Sequence, residues 1–595
     1  MIPPQMHIKQ NSIMKGDIMK NTFKRLSAAL FSAAIAASLG MSAIPASYAE
    51  DYTVTINKAD DSNDKATHTY EAYQVFAGDL HGTGDDAVLS NVVWGSGVNG
   101  SALLDALKAS SEFGTPSAFA SCDSAQKVAE VIDKWSDDTK MLQKFADIVA
   151  ANLSASPTVS GTAGNNKLTM NAPGYYFIKD KDGTLDNSEL GAYTDYILKV
   201  VDSVTIEAKE DVPAITKKII ESDGLKEANT ASIGDSVDFQ LDSKVPDMSA
   251  YNKYFYVIND TMGSGLDFKP STVKVYIDDM TTPINSSNYE VQTGAAADGY
   301  SFQIVMKDFK RNYGDQTGKA IKVTYSAELT DKADRTEKGN ENKVNLTYSN
   351  NPNHEYKGEN EPSTTPGDGD VTGKTPDSNT KTYTTSLLLN KIDGADNSAL
   401  AGAKFELKGS GVNKVIIANA ESFKADAAGT YYKLNDGTFT LTAPTPETSA
   451  QYVSTETKYI LDEKSTSHSG SGEDSYVEAI TDDMGKLTFA GLGSGTYTLT
   501  ETEAPSGYNK LANPINISIT AAPTLEGPNW TVTKDGEALT KPTGIYEFTV
   551  ENNKGVTLPS TGGMGTTIFY VVGGLLVAGA LILLVVKKRM NIKEK

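Results

Sequence analysis

The chain has 595 residues, and 76 Asp and Glu against 54 Lys and Arg give a formal net charge of −22. This balance, with no basic patch interleaved with aromatic residues, argues against nucleic-acid binding. The single cysteine, Cys122, rules out an internal disulfide and suits a buried, inert thiol. We expect no cofactor or metal, since the sequence has no zinc-ligand spacing, Walker A motif or Rossmann fingerprint.

The N-terminus has the layout of a secretory signal peptide. Basic residues precede an apolar, Ala-rich run over 26–44, and small residues follow up to Ala49. This pattern predicts export with cleavage after Ala49, so that residues 1–49 are absent from the mature protein. Met14 and Met19 are alternative start sites.

The first region, 50–208, combines strands with a helical insertion. Alternating patterns that begin at Tyr52 and Tyr70 predict strands. Apolar residues then recur at helical spacing over 128–149 before strand patterns return from Gly174. This arrangement resembles the N-terminal domain of Gram-positive backbone pilins.

The second region, 209–351, has the pattern of a β-sandwich. Short alternating runs begin at Val237, Val273 and Ile321, with turn sequences between them. Such spacing predicts an Ig-like domain. Residues 352–382 are rich in Pro, Gly, Thr, Asn and Asp and are predicted to form a linker.

The third region, 383–553, contains LAGAKFEL from Leu400 and YTLTETEAPSGY from Tyr497. Both stretches resemble the Cna-B or SpaA-like module, with 413–485 as a surface excursion. The predicted fold class is therefore mainly β, with tandem Ig-like (Cna-B-type) β-sandwich domains after the helix-containing first domain.

The last region, 554–595, carries a sorting signal. A pentapeptide is followed by an apolar run at 566–586, long enough for a transmembrane helix, and then by basic residues. The pentapeptide is Leu558, Pro559, Ser560, Thr561 and Gly562. It fits the LPxTG motif of sortase substrates, which implies cleavage after Thr561, transfer to an amine, transient membrane anchoring and a final place in the cell wall or fimbrium of a Gram-positive bacterium.

Taken together, the mature chain resembles the major (backbone) subunit of sortase-assembled pili. The resemblance implies a structural shaft subunit that supports adhesion. Its partners would be sortase, further copies of itself, minor pilins, peptidoglycan and an unidentified host surface ligand. A monomeric wall-anchored adhesin or a minor basal or tip pilin is the alternative. An enzyme has no support, because no nucleophile–His–acid arrangement can be inferred.

Two strands of the second region each place one polar residue among core-facing apolar ones, namely Lys217 and Asn342. A buried, unpaired lysine tends to lose its proton and become a nucleophile, whereas the Asn amide is an electrophile. A protonated acid nearby, for which Asp260 is the best candidate, would polarise that amide. The resemblance implies a Lys217–Asn342 isopeptide bond formed with loss of ammonia. Lys218 is the alternative if the register shifts by one, and a rim lysine whose amine reaches water is the other.

The third region repeats this pattern with Lys391 near its start and Asn552 near its end. Glu501 alternates with apolar residues on the strand that begins at Tyr497. In Cna-B-like modules the glutamate of this segment, the E-box, serves the isopeptide bond, which implies a Lys391–Asn552 bond promoted by Glu501. Lys58 in the first region follows a similar strand but lacks matching Asn and acid partners, so no bond is predicted there.

Polymerisation requires an acceptor amine on the next subunit. Backbone pilins carry such a lysine between their first and second domains, in a VYPKN-like motif. The corresponding stretch here is VTIEAKED, which contains Lys209 but lacks the Pro and the Asn of the motif. We predict that Lys209 is the acceptor of the Thr561 carbonyl, with a solvated strand-end lysine as the alternative.

Overall fold

A computed structural model describes most of the chain after the predicted signal peptide. The described residues are 51–58, 62–82, 87–135, 139–208, 212–354, 356, 369–418, 421–434, 439–443, 457–464, 466–468, 475–555 and 565–590. The predicted cleavage site at Ala49, the predicted acceptor Lys209 and the pentapeptide 558–562 lie outside them. The described part divides into two compact units. The first comprises the described residues up to Thr385 with Gly491–Ser494 and Thr520–Trp530, and the second comprises the remainder.

The N-terminal part of the first unit contains two sheets and a helical insertion, as predicted. Its strands are β1 Tyr52–Asn57, β2 Tyr70–His81, β3 Val88–Trp94, β4 Val159–Ser160, β5 Lys167–Met170, β6 Gly174–Asp180, β7 Asp195–Val200 and β8 Val204–Glu207. Its helices are α1 Gly100–Ala109, α2 Ala125–Ile132 and α3 Thr139–Ala150, with 3₁₀ turns at Ser111–Phe113 and Asp133–Trp135. The sheet orders are β5-β1-β8 and β3-β2-β6-β7, with β4 paired to β2.

Local sequence explains where the inserted helices begin and why they pack on the sheet. Asn99 and Ser124 cap α1 and α2 by accepting backbone N–H groups of the first turn, which satisfies donors that have no partner within the helix. The apolar faces cover β2 and β6 and bury Phe76 and Phe145. Cys122 is a free, buried thiol in the same cluster.

The rest of the first unit is a sandwich of two sheets. Its strands are β9 Thr216–Glu221, β10 Gly224–Lys226, β11 Ala228–Thr230, β12 Ser236–Lys244, β13 Tyr256–Met262, β14 Leu266–Ile277, β15 Tyr289–Thr293, β16 Phe302–Met306, β17 Ala320–Leu329, β18 Asn340–Ser349, β19 Thr372–Lys374 and β20 Ser378–Tyr383. Its helices are α4 Phe309–Tyr313 and 3₁₀ turns at Ser286–Asn288 and Gly294–Ala297. The sheet orders are β10-β9-β12-β17-β14 and β11-β20-β18-β13-β16-β15, with β19 paired to β18.

The predicted linker 352–382 differs from the structure at its end. Strands β19 and β20 lie within it, and β18 hydrogen-bonds to both. The alternation in SNTKTY, Ser378–Tyr383, turns Thr380 and Thr382 to the buried side. β-branched threonines fit a pleated sheet. The segment therefore pairs with the edge of β18, although its composition is typical of a linker.

The second unit is again built of two main sheets. Its strands are β21 Thr385–Asp393, β22 Lys404–Lys408, β23 Ile416–Ala418, β24 Glu421–Ala425, β25 Tyr432–Lys433, β26 Phe439–Thr440, β27 Tyr459–Lys464, β28 Thr466–His468, β29 Tyr476–Ile480, β30 Lys486–Leu492, β31 Gly495–Glu503, β32 Ile515–Ala521, β33 Trp530–Lys534, β34 Glu537–Ala538 and β35 Tyr546–Asn552, with a 3₁₀ turn at Val412–Lys414. The main sheet orders are β23-β30-β21-β35 and β28-β29-β22-β31-β32-β33-β34. The pairs β24-β27 and β25-β26 lie in the predicted excursion 413–485.

The C-terminal helix α5, Gly565–Met590, contains the apolar run predicted at 566–586. Within the described residues it is the one helix long and apolar enough to cross a membrane. Lys587, Lys588 and Arg589 fall in its last turn. The fold is mainly β with a terminal apolar helix, which confirms the predicted class.

Candidate functional site

Three polar residues predicted from the second region meet inside its sandwich. Lys217 lies on β9 in one sheet, whereas Asp260 on β13 and Asn342 on β18 lie in the facing sheet. β13 pairs with β18 in antiparallel orientation. Asn342 is opposite Met262, which lies two residues after Asp260 on β13. Inward alternation from both sheets therefore brings the three side chains into one buried cluster.

The Lys217 amine contacts both predicted partners directly. Its Nζ lies 2.7 Å from Asp260 Oδ2 and 2.5 Å from Asn342 Oδ1. All three residues are at most 1% exposed. An amine buried against the oxygen of a carboxamide is held close to the carbon that it would attack.

Burial shifts the protonation of this cluster towards neutral groups. It lowers the pKa of Lys217 to about 8, although the neighbouring Asp260 opposes the shift. It raises the pKa of Asp260, against the effect of Lys217 and of the Tyr325 hydroxyl. Charge is costly in the interior, so burial makes both the free amine of Lys217 and the protonated form of Asp260 easier to reach than in water.

The alternative residue Lys218 lies on the opposite face of β9. Its amine is 2.7 Å from Glu227 Oε1, and both side chains are partly solvent-exposed. The register of β9 on β12 fixes this choice, because Lys217 is opposite Leu241, which is buried.

Sequence reasoning missed one member of the cluster, Tyr325 on β17. Its hydroxyl donates to Asp260 Oδ2 at 2.7 Å and accepts from Asn342 Nδ2 at 3.1 Å. Tyr325 is 2% exposed, and it alternates with the buried Val323 and Ala327. The available signal was its place on the inward face of a strand, where a phenol needs a hydrogen-bond partner.

The predicted set of the third region also comes together. β21 and β35 are parallel neighbours, with Lys391 opposite Val550 and Asp393 opposite Asn552. Glu501 lies on β31 of the other main sheet. The first and last strands of this region are thus adjacent, and the E-box strand faces them.

One carboxyl group spans the nucleophile and the amide in this second cluster. Glu501 Oε1 lies 4.0 Å from Lys391 Nζ, and Glu501 Oε2 accepts from Asn552 Nδ2 at 2.9 Å. Asn552 Nδ2 also donates to the Asn509 carbonyl at 2.8 Å. Lys391, Glu501 and Asn552 are at most 1% exposed. Burial lowers the pKa of Lys391 to about 8, which favours the free amine.

Lys58 of the first region lies in a different setting. Its side chain is 38% exposed, and its amine is 2.8 Å from Asp64 Oδ1. The predicted absence of a bond at Lys58 stays a prediction. Among the residues that the structure describes, no group of three or more His, Cys, Asp or Glu side chains could hold a metal ion.

We expect the stability of an Asn342→Ala variant to rise with pH between about 8 and 10.5. Without the amide no bond can form, and Lys217 keeps its lowered pKa of about 8 in the folded state against 10.5 ordinarily. In that window the unfolded chain binds a proton that the folded chain lacks, so the free energy of unfolding should increase by up to about 1.4 kcal/mol per pH unit. Urea unfolding over this pH range measures the effect. Adding Lys217→Met should abolish the increase, and an equal slope in the double variant would contradict the assignment.

Two family descriptions match parts of the chain. Residues 385–529 match the SpaA prealbumin-like fold domain, and residues 550–591 match the LPXTG cell wall anchor motif. The chain therefore carries a SpaA-type domain and a cell wall anchor. The predicted location at the Gram-positive cell surface is confirmed.

Similar proteins are surface proteins and pilins. The trypsin-resistant surface T6 protein of Streptococcus pyogenes serotype M6 is 24% identical over 425 residues, which cover 69% of this chain and 74% of the relative. Among solved structures, the T6 backbone pilin of the same serotype aligns over 85% of this chain and 98% of the pilin chain, at 15% identity and a TM-score of 0.45. The major pilin SpaD of Corynebacterium diphtheriae covers 85% and 97% at 17% identity and a TM-score of 0.42.

The predicted resemblance to sortase-assembled surface proteins with a SpaA-like domain is confirmed by the two family matches and by the T6 relative.

Proposed function

We propose that this chain is the shaft subunit of a sortase-polymerised pilus, stiffened by internal isopeptide bonds. The observation that carries the proposal is the joint presence of an LPXTG anchor and two buried Lys–acid–Asn clusters in one exported chain. Covalent closure inside its domains would let each subunit of such a fibre carry tension without unfolding.

The internal bonds would be Lys217–Asn342 and Lys391–Asn552. In each, the lysine Nζ forms a bond to the Asn Cγ, the Cγ–Nδ2 bond breaks, and ammonia leaves. Asp260 and Glu501 would promote the reaction as buried acids. Tension that enters one end of such a domain would cross a covalent bond and would not have to separate the strands. The bonds replace the disulfides that a chain with one cysteine cannot form.

The bond between subunits would join Thr561 of one copy to Lys209 of the next. Lys209 follows β8 by two residues in the sequence and precedes β9, between the first and second regions. A head-to-tail contact between different surfaces does not close on itself, so it produces a filament. Sortase would make the bond, minor pilins would join the fibre, peptidoglycan would hold its base, and adhesion to a host surface would be its use.

We expect a Lys209→Ala variant to lose the polymer. In cells expressing the wild-type chain, SDS-resistant cell-wall extracts should show a ladder of species, and in the variant this ladder should collapse to the monomer. Lys226→Ala is the matched control, since Lys226 is a partly exposed lysine of the second region that forms an ion pair with Asp223 nearby in sequence. A ladder that survives Lys209→Ala would overturn the acceptor, and a wild-type chain without a ladder would favour the wall-anchored adhesin or minor pilin.

A further inference from the structure

The two buried clusters differ in how the acid reaches the leaving amine. In the third region Glu501 Oε2 contacts Asn552 Nδ2 directly, at 2.9 Å. In the second region the contact of Asn342 Nδ2 is to the Tyr325 hydroxyl, which in turn donates to Asp260 Oδ2. Of these two clusters, the one in the second region has a tyrosine between the acid and the leaving group, and the one in the third region has a direct contact.

We propose that the Tyr325 hydroxyl relays a proton from Asp260 to the leaving Nδ2 of Asn342 during isopeptide formation. This inference rests on the Lys217–Asn342 bond of the proposed function and adds a catalytic residue to it. Three contacts form a continuous path, from Lys217 Nζ to Asp260 Oδ2 at 2.7 Å, from there to the Tyr325 hydroxyl at 2.7 Å, and on to Asn342 Nδ2 at 3.1 Å.

The path balances the protons of the reaction. The Lys217 Nζ lone pair forms the bond to Asn342 Cγ. As the Cγ–Nδ2 bond breaks, the Tyr325 O–H turns from Asp260 to Nδ2 and gives Nδ2 its third hydrogen, while the protonated Asp260 carboxyl gives its own proton to the Tyr325 oxygen. The Asp260 carboxylate formed in this way then takes one proton from Nζ. One amide replaces another, one ammonia leaves, and both Asp260 and Tyr325 end as they began.

The surroundings of Tyr325 suit a proton donor that does not ionise. Burial raises its pKa well above the ordinary value, and the neighbouring Asp260 adds to the shift. Its ring is stacked on Phe239, with centroids 5.2 Å apart, and meets Phe302 edge-on. Since the ring is held by packing, the hydroxyl stays on the line between acid and amide, and no water is required to carry the proton.

The geometry also explains why the second region needs a relay. Asp260 has a side chain one methylene shorter than Glu501. Asp260 Oδ2 already accepts hydrogen bonds from the Lys217 amine and the Tyr325 hydroxyl. Asp260 Oδ1 has no hydrogen-bond partner among the described residues. Glu501 Oε1 likewise has no hydrogen-bond partner among the described residues and lies 4.0 Å from Lys391 Nζ, but Glu501 Oε2 reaches the leaving group directly. The phenol supplies the reach that the shorter carboxyl lacks.

We expect Tyr325→Phe to slow formation of the second-region bond by about a hundredfold, in the range of general acid–base catalysis. The full mature chain, made by cell-free synthesis, is quenched at successive times, and the linked peptides of each region are counted by mass spectrometry. The third-region bond forms in the same molecules and should keep its wild-type rate.

The matched control is Tyr256→Phe. Tyr256 is also fully buried in this core, but its hydroxyl donates to Ser243 outside the cluster, at 2.6 Å. This variant removes the same atom from the same core, and both bonds should form at wild-type rates. Equal rates in Tyr325→Phe and the wild type would overturn the relay. A wild-type chain without the second-region link would instead overturn the proposed bond itself.

A second substitution covers the case in which Tyr325→Phe does not fold, as judged by near-UV circular dichroism. Site-specific 3-fluorotyrosine at position 325 keeps the shape of the ring and makes the hydroxyl more acidic. If the hydroxyl transfers a proton, the second-region rate should change while the third-region rate does not. An unchanged rate would show that Tyr325 only packs.

Discussion

A Glu501→Gln chain should retain one ammonia molecule that the wild type loses and should unfold more easily by roughly 5 kcal/mol. Gln keeps the size of Glu501 but cannot take a proton from Lys391 or return one to Asn552. The bond would close a loop of more than 150 residues. Lys391 and Val550 are 159 residues apart, and Asn552 follows Val550 on the same strand. The magnitude follows if the chain-entropy relation for disulfides applies to this cross-link.

Intact-mass measurement and urea unfolding of the mature chain test this expectation together. Glu503→Gln is the control on the same strand, because Glu503 is 65% exposed and pairs with Lys404 at the surface. Exposed ion pairs contribute at most about 1 kcal/mol, so this variant should stay linked and nearly as stable as the wild type. A fully linked Glu501→Gln chain would remove Glu501 from the reaction.

The inward faces of Lys217 and Asn342 could be predicted from the sequence because strand alternation has a period of two. Lys217 and Asn342 each interrupt an apolar face, and both sheets turn these faces inward. Alternation also turned Glu501 towards the core, and the resemblance of its strand to the E-box predicted its place with Lys391. The prediction from alternation needs only the strand face on which each residue lies, and it does not need the distance between the residues.

Tyr325 could not be found in this way. A tyrosine on the inward face of a strand is predicted from sequence as an ordinary core residue. The position of the Tyr325 hydroxyl depends on how β17 packs between β12 and β14. The strands β19 and β20 were missed for a related reason. Their pairing depends on the edge offered by β18, a contact distant in sequence, while local composition favours a linker. Side-chain reach and edge pairing are therefore properties of the assembled sandwich.

Asp260→Ala should destabilise the second region more than loss of its bond alone does. Asn342→Ala also prevents the bond, but it leaves the Lys217 amine 2.7 Å from Asp260 Oδ2. Asp260→Ala leaves that amine in the interior without the carboxyl group that shares its proton, which costs about 3 kcal/mol or more beyond the Asn342→Ala variant at neutral pH. Both variants should retain the ammonia that the second region of the wild type loses.

The pH dependence separates this charge effect from a simple packing defect. Burial holds the Lys217 pKa below its ordinary value of 10.5, and removal of Asp260 takes away the main group that opposes this shift. Above pH 10.5 the amine is neutral in the folded and unfolded chains alike, so the stability gap between Asp260→Ala and Asn342→Ala should narrow there. Asp267→Ala, which removes an exposed carboxylate paired with Lys269, should remain linked and near wild type. A gap that stays constant from pH 7 to above pH 10.5 would mean that Asp260 acts through packing, and the acid of the second cluster would have to be sought elsewhere.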